Sequence, residues 1–476
     1  MYITAWVCMC LVGSGLTWVY RSRFRGIYPA NMEHSMTTQA RGATRVLALS
    51  TTAFTLMFAV WLMFGILGVP IQKEFGLTDV QLSWVSAVAV LNGSLWRLPA
   101  GILTDRVGGR LVTIAMLFLT AIPAFFLTRV GSYGALLVLA FLVGFAGNLF
   151  SVGIAWNSAW TSKDRQGFAL GVFGAGNVGA SVTKLLLVLF PAIISGTAGH
   201  VYFGIFDGGW RIFPAIYTVA LIATGLLVLF VAPRQDRVAG AGKPIGEMLA
   251  PLKHVRVWRF SLYYAAVFGA YVALAAWLPK YYVENFDIPL REAALLTAIF
   301  IFPASLLRPV GGWFSDRFGA RRVMYWTFGA MLVTTGILMM PNGHLVIAHP
   351  DGTQSSHLAY AIGLVPFVIL VFLLGCAMGI GKAAVYKHIP EYFPDNVGSV
   401  GGLVGMFGGL GGFALPPLFA YTKQWSGFPS STFFVLFVLT AVCAVWMHLT
   451  VVHMLHENSP TLARHLEAPA DATASR

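Results

Sequence analysis

The run Arg97-Leu98-Pro99-Ala100-Gly101-Ile102-Leu103-Thr104-Asp105-Arg106-Val107-Gly108-Gly109-Arg110 returns, altered, as Arg308-Pro309-Val310-Gly311-Gly312-Trp313-Phe314-Ser315-Asp316-Arg317-Phe318-Gly319-Ala320-Arg321. In each, an aspartate follows the first arginine by eight residues (105 − 97 and 316 − 308). Gly101 and Gly312 fall at the same offset as the arginines, 211 residues. A second echo sets Gly171-Val-Phe-Gly-Ala-Gly176 against Gly405-Met-Phe-Gly-Gly-Leu410, at an offset of 234. The 23 extra residues (234 − 211) fall mostly in a polar stretch near 341–357. The chain is therefore a duplicated unit. The Asp-Arg-x-Gly-x-Arg element reads as a tight loop in which Asp105 and Asp316 accept charge-assisted bonds from Arg106, Arg317 or helix N-termini.

Around these runs the chain is strongly apolar. Of 476 residues, 57% are hydrophobic and only 10% are charged. Mean hydropathy is +0.75. Soluble domains carry about a quarter charged residues, so lipid is the expected solvent. Twelve apolar stretches of spanning length lie near 46–70, 80–103, 111–130, 134–157, 167–193, 210–232, 259–282, 292–313, 322–340, 359–387, 398–421 and 431–454. The predicted fold is an all-α membrane protein of twelve transmembrane helices in two pseudo-symmetric six-helix bundles. Duplicated halves with a site at their midplane are a common plan for secondary transporters.

Charge gives orientation. Arg106, Arg110, Lys163, Arg165, Arg234, Arg237, Lys243, Lys253, Arg256, Arg317, Arg321 and Arg322 fall in one set of loops. The opposite set holds few positives, among them Lys73, Arg129, Lys280, Arg291 and Lys423. This asymmetry places both termini in the cytoplasm. It also accounts for the net charge of +13 without a nucleic-acid partner. The expected division is an N-terminal extension at 1–45, a first bundle at 46–233, a cytoplasmic linker at 234–258, a second bundle at 259–455 and a cytoplasmic tail at 456–476. Residues 3–20 are apolar and precede Arg21, Arg23 and Arg25. We read the extension as upstream of the true start, at Met32 or Met36; a thirteenth span or a signal sequence is the alternative. Cys8, Cys10, Cys376 and Cys443 have no metal or disulfide spacing and read as packing residues.

Ionisable groups inside spans are costly and usually functional. Arg97, Lys184, Arg308 and Lys382 fall within predicted spans, and Lys387 lies at a span end. All 18 Asp and Glu lie in loops, tails or span ends. Unpaired cations in low dielectric call for an anion. Arg97 and Arg308 are equivalent in the repeat, so pseudo-symmetry brings them face to face. Two guanidinium forks make a clamp for a planar oxyanion. Bonding to backbone carbonyls or snorkelling to an interface is the plainer alternative.

Two helices are dense in glycine: Gly167-Phe-Ala-Leu-Gly-Val-Phe-Gly-Ala-Gly-Asn177-Val-Gly179 and Gly401-Gly-Leu-Val-Gly-Met-Phe-Gly-Gly-Leu-Gly-Gly412-Phe-Ala-Leu-Pro416. Glycine weakens a helix by roughly 1 kcal/mol per residue, so such density needs close crossing or a narrow path. Gly174, Gly176, Gly408, Gly409, Gly411 and Gly412 are the candidate gating glycines. These stretches resemble the paired signatures of the nitrate/nitrite porter family (NarK-type) of the major facilitator superfamily, and the two Asp-Arg loops resemble that superfamily's loop motif. The resemblance runs from about 46 to 455. One departure is Trp160-Thr161-Ser162, where the family often has a Phe-Pro pair. The resemblance implies that Arg97 and Arg308 bind the anion, that Tyr264 and Phe268 line the site, that Phe150 packs on the anion, and that Asn177 lies near it. It also implies nitrate import, with protons or in exchange for nitrite.

Coupling turns on Lys184 and Lys382. Exchange of monovalent anions needs no titratable group. Proton symport needs one, and a buried lysine is the candidate because burial disfavours its charged form. The expected protein is thus a monomeric nitrate/proton symporter of the bacterial inner membrane, with a nitrate/nitrite antiporter as the alternative. A porter of another oxyanion or small carboxylate, and a sensor built on a transporter fold, are rival readings. No Walker loop, metal-ligand spacing or nucleophile elbow is present, so neither an enzyme nor a cofactor is expected.

Overall fold

The computed structural model describes residues 30–161, 166–189, 193–202, 204–237, 246, 250–348, 354–392 and 397–458. The first half contains α1 (Ala30–Trp61), α2 (Phe64–Phe75), α3 (Asp79–Leu95), α4 (Arg97–Val107), α5 (Gly109–Leu127), α6 (Tyr133–Gly144), α7 (Leu149–Trp160), α8 (Gln166–Ala175), α9 (Val182–Leu189) and α10 (Ile212–Val231). The second contains α11 (Val255–Tyr264), α12 (Ala270–Phe286), α13 (Leu290–Leu306), α14 (Arg308–Phe318), α15 (Ala320–Leu338), α16 (Leu364–Tyr392), α17 (Val397–Ser426) and α18 (Ser431–Asn458). Helical segments occupy each of the twelve predicted spans. Among the described residues, nine continuous stretches are long and apolar enough to cross a membrane, and α13 with α14, bent by 40°, makes a tenth. The pair α3–α4 and helix α15 occupy the remaining two places.

Lipid dictates this architecture. Helices satisfy their own backbone groups, which a hydrocarbon core cannot do for them. Outward faces carry Leu119, Phe126, Val219, Phe230, Val333 and Leu449, all exposed. Inside, Phe54, Phe58, Trp61, Tyr264 and Tyr271 are fully buried. Buried hydroxyls return to the carbonyl one turn back, as Thr104 does to Ala100 at 2.8 Å and Ser315 to Gly311 at 2.7 Å.

Three features differ from the sequence reading. Helix α1 begins at Ala30, not near 46. The polar insertion near 341–357 is a hairpin of β3 (Gly343–Ala348) and β4 (Gln354–Tyr360), antiparallel. A smaller hairpin, β1 (Val201–Tyr202) with β2 (Phe206–Asp207), precedes α10. Residues 1–29 of the expected extension (with Cys8 and Cys10), Lys163, Arg165 and Lys243, and the tail from 459 lie outside the described residues. Cys376 is half-buried and Cys443 buried, both as free thiols.

The duplication is visible in the backbone. Trp96 and Leu307 (307 − 96 = 211) break their helices with nearly equal angles, φ −86° and ψ 3° against φ −82° and ψ 0°. Gly108 and Gly319, 211 apart, end the short helices that follow at φ 90° and φ 84°. These positive φ values suit glycine. Arg97 and Arg308 are thus the first residues of the half-helices α4 and α14.

At the end of the molecule away from the two Asp-Arg loops, four charges join the halves. Lys280 on α12 pairs with Asp79 at the start of α3 and with Glu284 one turn along. Lys423 on α17 reaches Asp79 at 2.8 Å and Glu284 at 2.9 Å. Gln72 on α2 accepts from Lys280 at 2.6 Å. Lys280, expected among the loop positives, is buried here. Removing one partner of such a cluster strands the others. A cavity of about 20 Å³ just inside is lined by Ser86, Trp277 and Lys280. With Asp79→Asn, a cysteine at Ser86 is expected to react several-fold faster with a membrane-impermeant thiol reagent applied from that side. Unchanged labelling would show that the cluster does not hold this end shut.

Candidate functional site

The helices that carry Phe150, Asn177, Tyr264 and Phe268 depart from α geometry beside these residues. A 3₁₀ turn at Phe145–Asn148 precedes Phe150, and another at Gly176–Ser181 contains Asn177. A π turn at Ala265–Gly269 contains Phe268 and follows Tyr264. Such turns free backbone groups and are frequent at functional sites.

The two arginines meet at one aromatic ring. The Arg97 guanidinium carbon lies 5.4 Å from the centroid of Phe150, and that of Arg308 lies 5.9 Å from it. Arg97 also stands over Phe268 at 5.3 Å and over Trp61 at 5.5 Å. Two of its nitrogens bond backbone carbonyls: Nε donates to Gly93 and Nη1 to Gly405, both at 2.9 Å. Its third, Nη2, is buried without a partner, as is Nη1 of Arg308. Neither arginine has a carboxylate partner among the described residues. An orphaned guanidinium N–H on each side is what a small anion would satisfy.

Each arginine rests against the glycine-dense helix of the opposite half. A β-carbon on Gly174 of α8 would stand 3.2 Å from Nη1 of Arg308. One on Gly409 of α17 would stand 2.4 Å from Oγ of Ser94 and 3.6 Å from Cζ of Arg97. Gly408 faces Tyr264, Gly411 faces Ala265, Gly412 faces Val272 and Val90, and Gly176 faces Phe54. Only hydrogen lets these surfaces close.

Tyr264 stacks on Phe268, with centroids 4.9 Å apart and planes 8° apart. Its hydroxyl is buried and unpartnered, as are both amide atoms of Asn177. Tyr386 meets the Tyr264 ring edge-on at 5.0 Å and donates to the Gly401 carbonyl at 3.1 Å. The structure separates the two lysines. Lys382 is fully buried, 5.7 Å from the Phe268 centroid and 3.2 Å from that of Tyr271, and donates to the Ala304 carbonyl at 2.9 Å. Lys184 is also fully buried, but donates one turn back to Ala180, in the 3₁₀ turn that holds Asn177, at 2.9 Å. At the loops, Asp316 pairs with Lys387, and the exposed Arg317 lies over Trp313 at 5.6 Å. Arg106 is exposed, and the bonding expected of the Asp105 side chain lies outside the described residues.

Sequence reasoning passes over Trp61 and Ser94, and gives Tyr271, the first residue of the stretch Tyr271-Val-Ala-Leu-Ala-Ala-Trp277-Leu-Pro-Lys280, no role of its own. Tyr271 carried a signal: 264, 268 and 271 share one helical face.

Two helix-bundle halves around a buried pair of cations define a multi-pass secondary transporter, not an enzyme. The chain matches the family description Major Facilitator Superfamily over residues 49–348 and 281–472. It is 64% identical over 428 residues to the "Probable nitrate/nitrite antiporter NarK1" of Thermus thermophilus, covering 90% of this chain and 96% of that protein. It is 30% identical over 406 residues to the "Nitrite extrusion protein" of Bacillus subtilis, covering 84% and 94%. Among solved structures it is similar to the nucleoside transporter NupG, with TM-score 0.63, 15% identity and coverage of 86% and 99%. A bacterial homologue of the human lysosomal transporter Spinster gives TM-score 0.62 at 16% identity, with coverage of 86% and 96%. The chain belongs to the NarK-type nitrate/nitrite porter family of the major facilitator superfamily.

Proposed function

We propose that the protein carries nitrate inward across the bacterial inner membrane by alternating access between residues 46–233 and 259–455, joined by a linker at 234–258, as a monomer with both termini cytoplasmic. The observation that carries the reading is the pair of orphaned guanidinium N–H groups of Arg97 and Arg308, both arginines lying within 6 Å of the Phe150 ring. A planar monovalent oxyanion between them stacks on Phe150 and takes both forks. Tyr264 and Asn177, with unpartnered polar atoms, supply further contacts, and Phe268 backs Arg97. The names of the relatives support nitrate, and nitrite, as the substrate class.

For coupling, the proposal is symport with protons. Lys382 stands at the site with no carboxylate beside it among the described residues, and its charge can follow the cycle. Lys184, bonded to the Ala180 carbonyl one turn back, adds positive potential. A second reading, exchange of nitrate for nitrite, is favoured by the name of the Thermus relative. Uptake into proteoliposomes separates the two. Symport requires nitrate entry into empty vesicles driven by an inward proton gradient. It also requires that Lys382→Met flatten the pH dependence while Lys184→Met lowers the rate only. Uptake confined to nitrite-loaded vesicles, indifferent to the gradient, selects exchange. No uptake by folded protein in either case overturns the nitrate reading.

A further inference from the structure

No role has been assigned to Tyr271 so far, yet it touches three parts of the machinery. It is fully buried on α12, directly after the π turn. Its hydroxyl lies 3.2 Å from the carbonyl oxygen of Asn177, in the 3₁₀ break of the opposite half. The same hydroxyl lies 3.1 Å from Oγ of Ser305, just before the break that releases Arg308. The face of its ring carries the Lys382 ammonium at 3.2 Å. Lys382 in turn donates to Ala304, the residue before Ser305. One side chain therefore joins the helix break bearing Asn177, the helix break bearing Arg308, and the buried amine.

We propose that Tyr271 is a positioning residue of the transport cycle: its hydroxyl ties the two helix breaks together when the halves close on the anion, and its ring seats the Lys382 amine. The proposal rests on the transport reading above. The two parts of the side chain have separable duties. The hydroxyl can donate to only one acceptor, and Ser305 can return a bond to it, so the pair bridges the halves through Asn177. The ring gives a desolvated cation a partner that is not a carboxylate, so the amine can gain or lose charge without leaving an anion stranded. The charged and titratable groups around Lys382 are Arg308 from α14, Tyr271 from α12 and Tyr386 one turn along α16; no carboxylate is among them in the described residues.

The test uses full-length protein in proteoliposomes. Tyr271→Phe keeps the ring and removes the hydroxyl. Losing a bridge made in the closed state is expected to lower maximal nitrate uptake about tenfold with KM within about twofold. This readout is independent of the coupling mode. Tyr271→Leu removes the ring as well and is expected to change the pH profile of uptake, which Tyr271→Phe keeps. Adding Lys382→Met to Tyr271→Leu is expected to change that profile no further. Tyr271→Phe with wild-type turnover overturns the bridge, and Tyr271→Leu with the wild-type pH profile overturns the seat. A wild-type protein that neither binds nor moves nitrate fails the function itself. Wild-type protein that transports while the variants match it fails this inference alone. Nitrate-dependent shifts in the melting temperature of each purified variant separate misfolding from a lost role.

Discussion

Arg97→Lys and Arg308→Lys are each expected to lower nitrate uptake at least about a hundredfold, roughly 3 kcal/mol of lost interaction, although the charge is retained. The substitution isolates the fork from the charge. Lysine offers a point cation on a flexible stem, whereas each guanidinium here already commits part of its fan of donors. Arg97 spends Nε on Gly93 and Nη1 on Gly405 of the opposite half, which leaves Nη2 as the donor without a protein partner. A lysine at 97 cannot hold Gly93 and Gly405 and still present a donor beside Phe150. Arg308 presents Nη1 past Gly174 in the same way. The measurement is initial uptake over a nitrate concentration series. Variants retaining a third or more of wild-type uptake would mean that bulk positive potential, not fork geometry, holds the anion. Folding is checked by monodispersity in detergent, because no carboxylate depends on either arginine among the described residues.

Much of this architecture is legible in the sequence. Apolar stretches must become helices in lipid, so the spans followed from hydropathy. The duplication was carried by residues whose backbone roles repeat: Gly108 and Gly319 at positive φ, and Arg97 and Arg308 at the same step of the same broken helix. Helix α1 was missed over its first turns because Glu33, Arg41 and Arg45 lower hydropathy without opposing helix formation.

What stayed hidden depended on distant partners. Lys184 and Lys382 look alike in sequence, and only packing puts one on the Tyr271 ring and the other on a carbonyl one turn back in its own segment. An aromatic residue on an apolar helix cannot be told from core until its neighbours are known, which is why the individual roles of Tyr271 and Trp61 are not legible in the sequence. The Asp79–Lys280–Glu284–Lys423 cluster joins residues up to 344 positions apart. Each of these four charges alone reads as an ordinary span end.

Gly408→Ala is expected to cut transport at least about thirtyfold while leaving the protein folded, about 2 kcal/mol of overpacking placed where the anion site has no slack. By helix propensity alone the substitution should help, by about 1 kcal/mol. Packing reverses the sign. The added β-carbon would stand 2.2 Å from Cδ1 and 2.9 Å from Cγ of Tyr264. Tyr264 has nowhere to go: it is fully buried, stacked on Phe268 and closed at its edge by Tyr386. Displacement therefore passes to Phe268 and from there to Arg97, 5.3 Å from that ring. Gly402→Ala supplies the control, since nothing lies within 4 Å of its added carbon on the same helix. Its uptake is expected within about twofold of wild type, with a melting temperature equal or slightly higher, as helix propensity alone requires. Comparing the two variants in one uptake assay separates loss of helix flexibility from loss of space. Equal damage from both would assign the glycines of α17 to bending of the helix; damage from Gly408→Ala alone assigns Gly408 to the close approach that lets Tyr264 and Phe268 support Arg97.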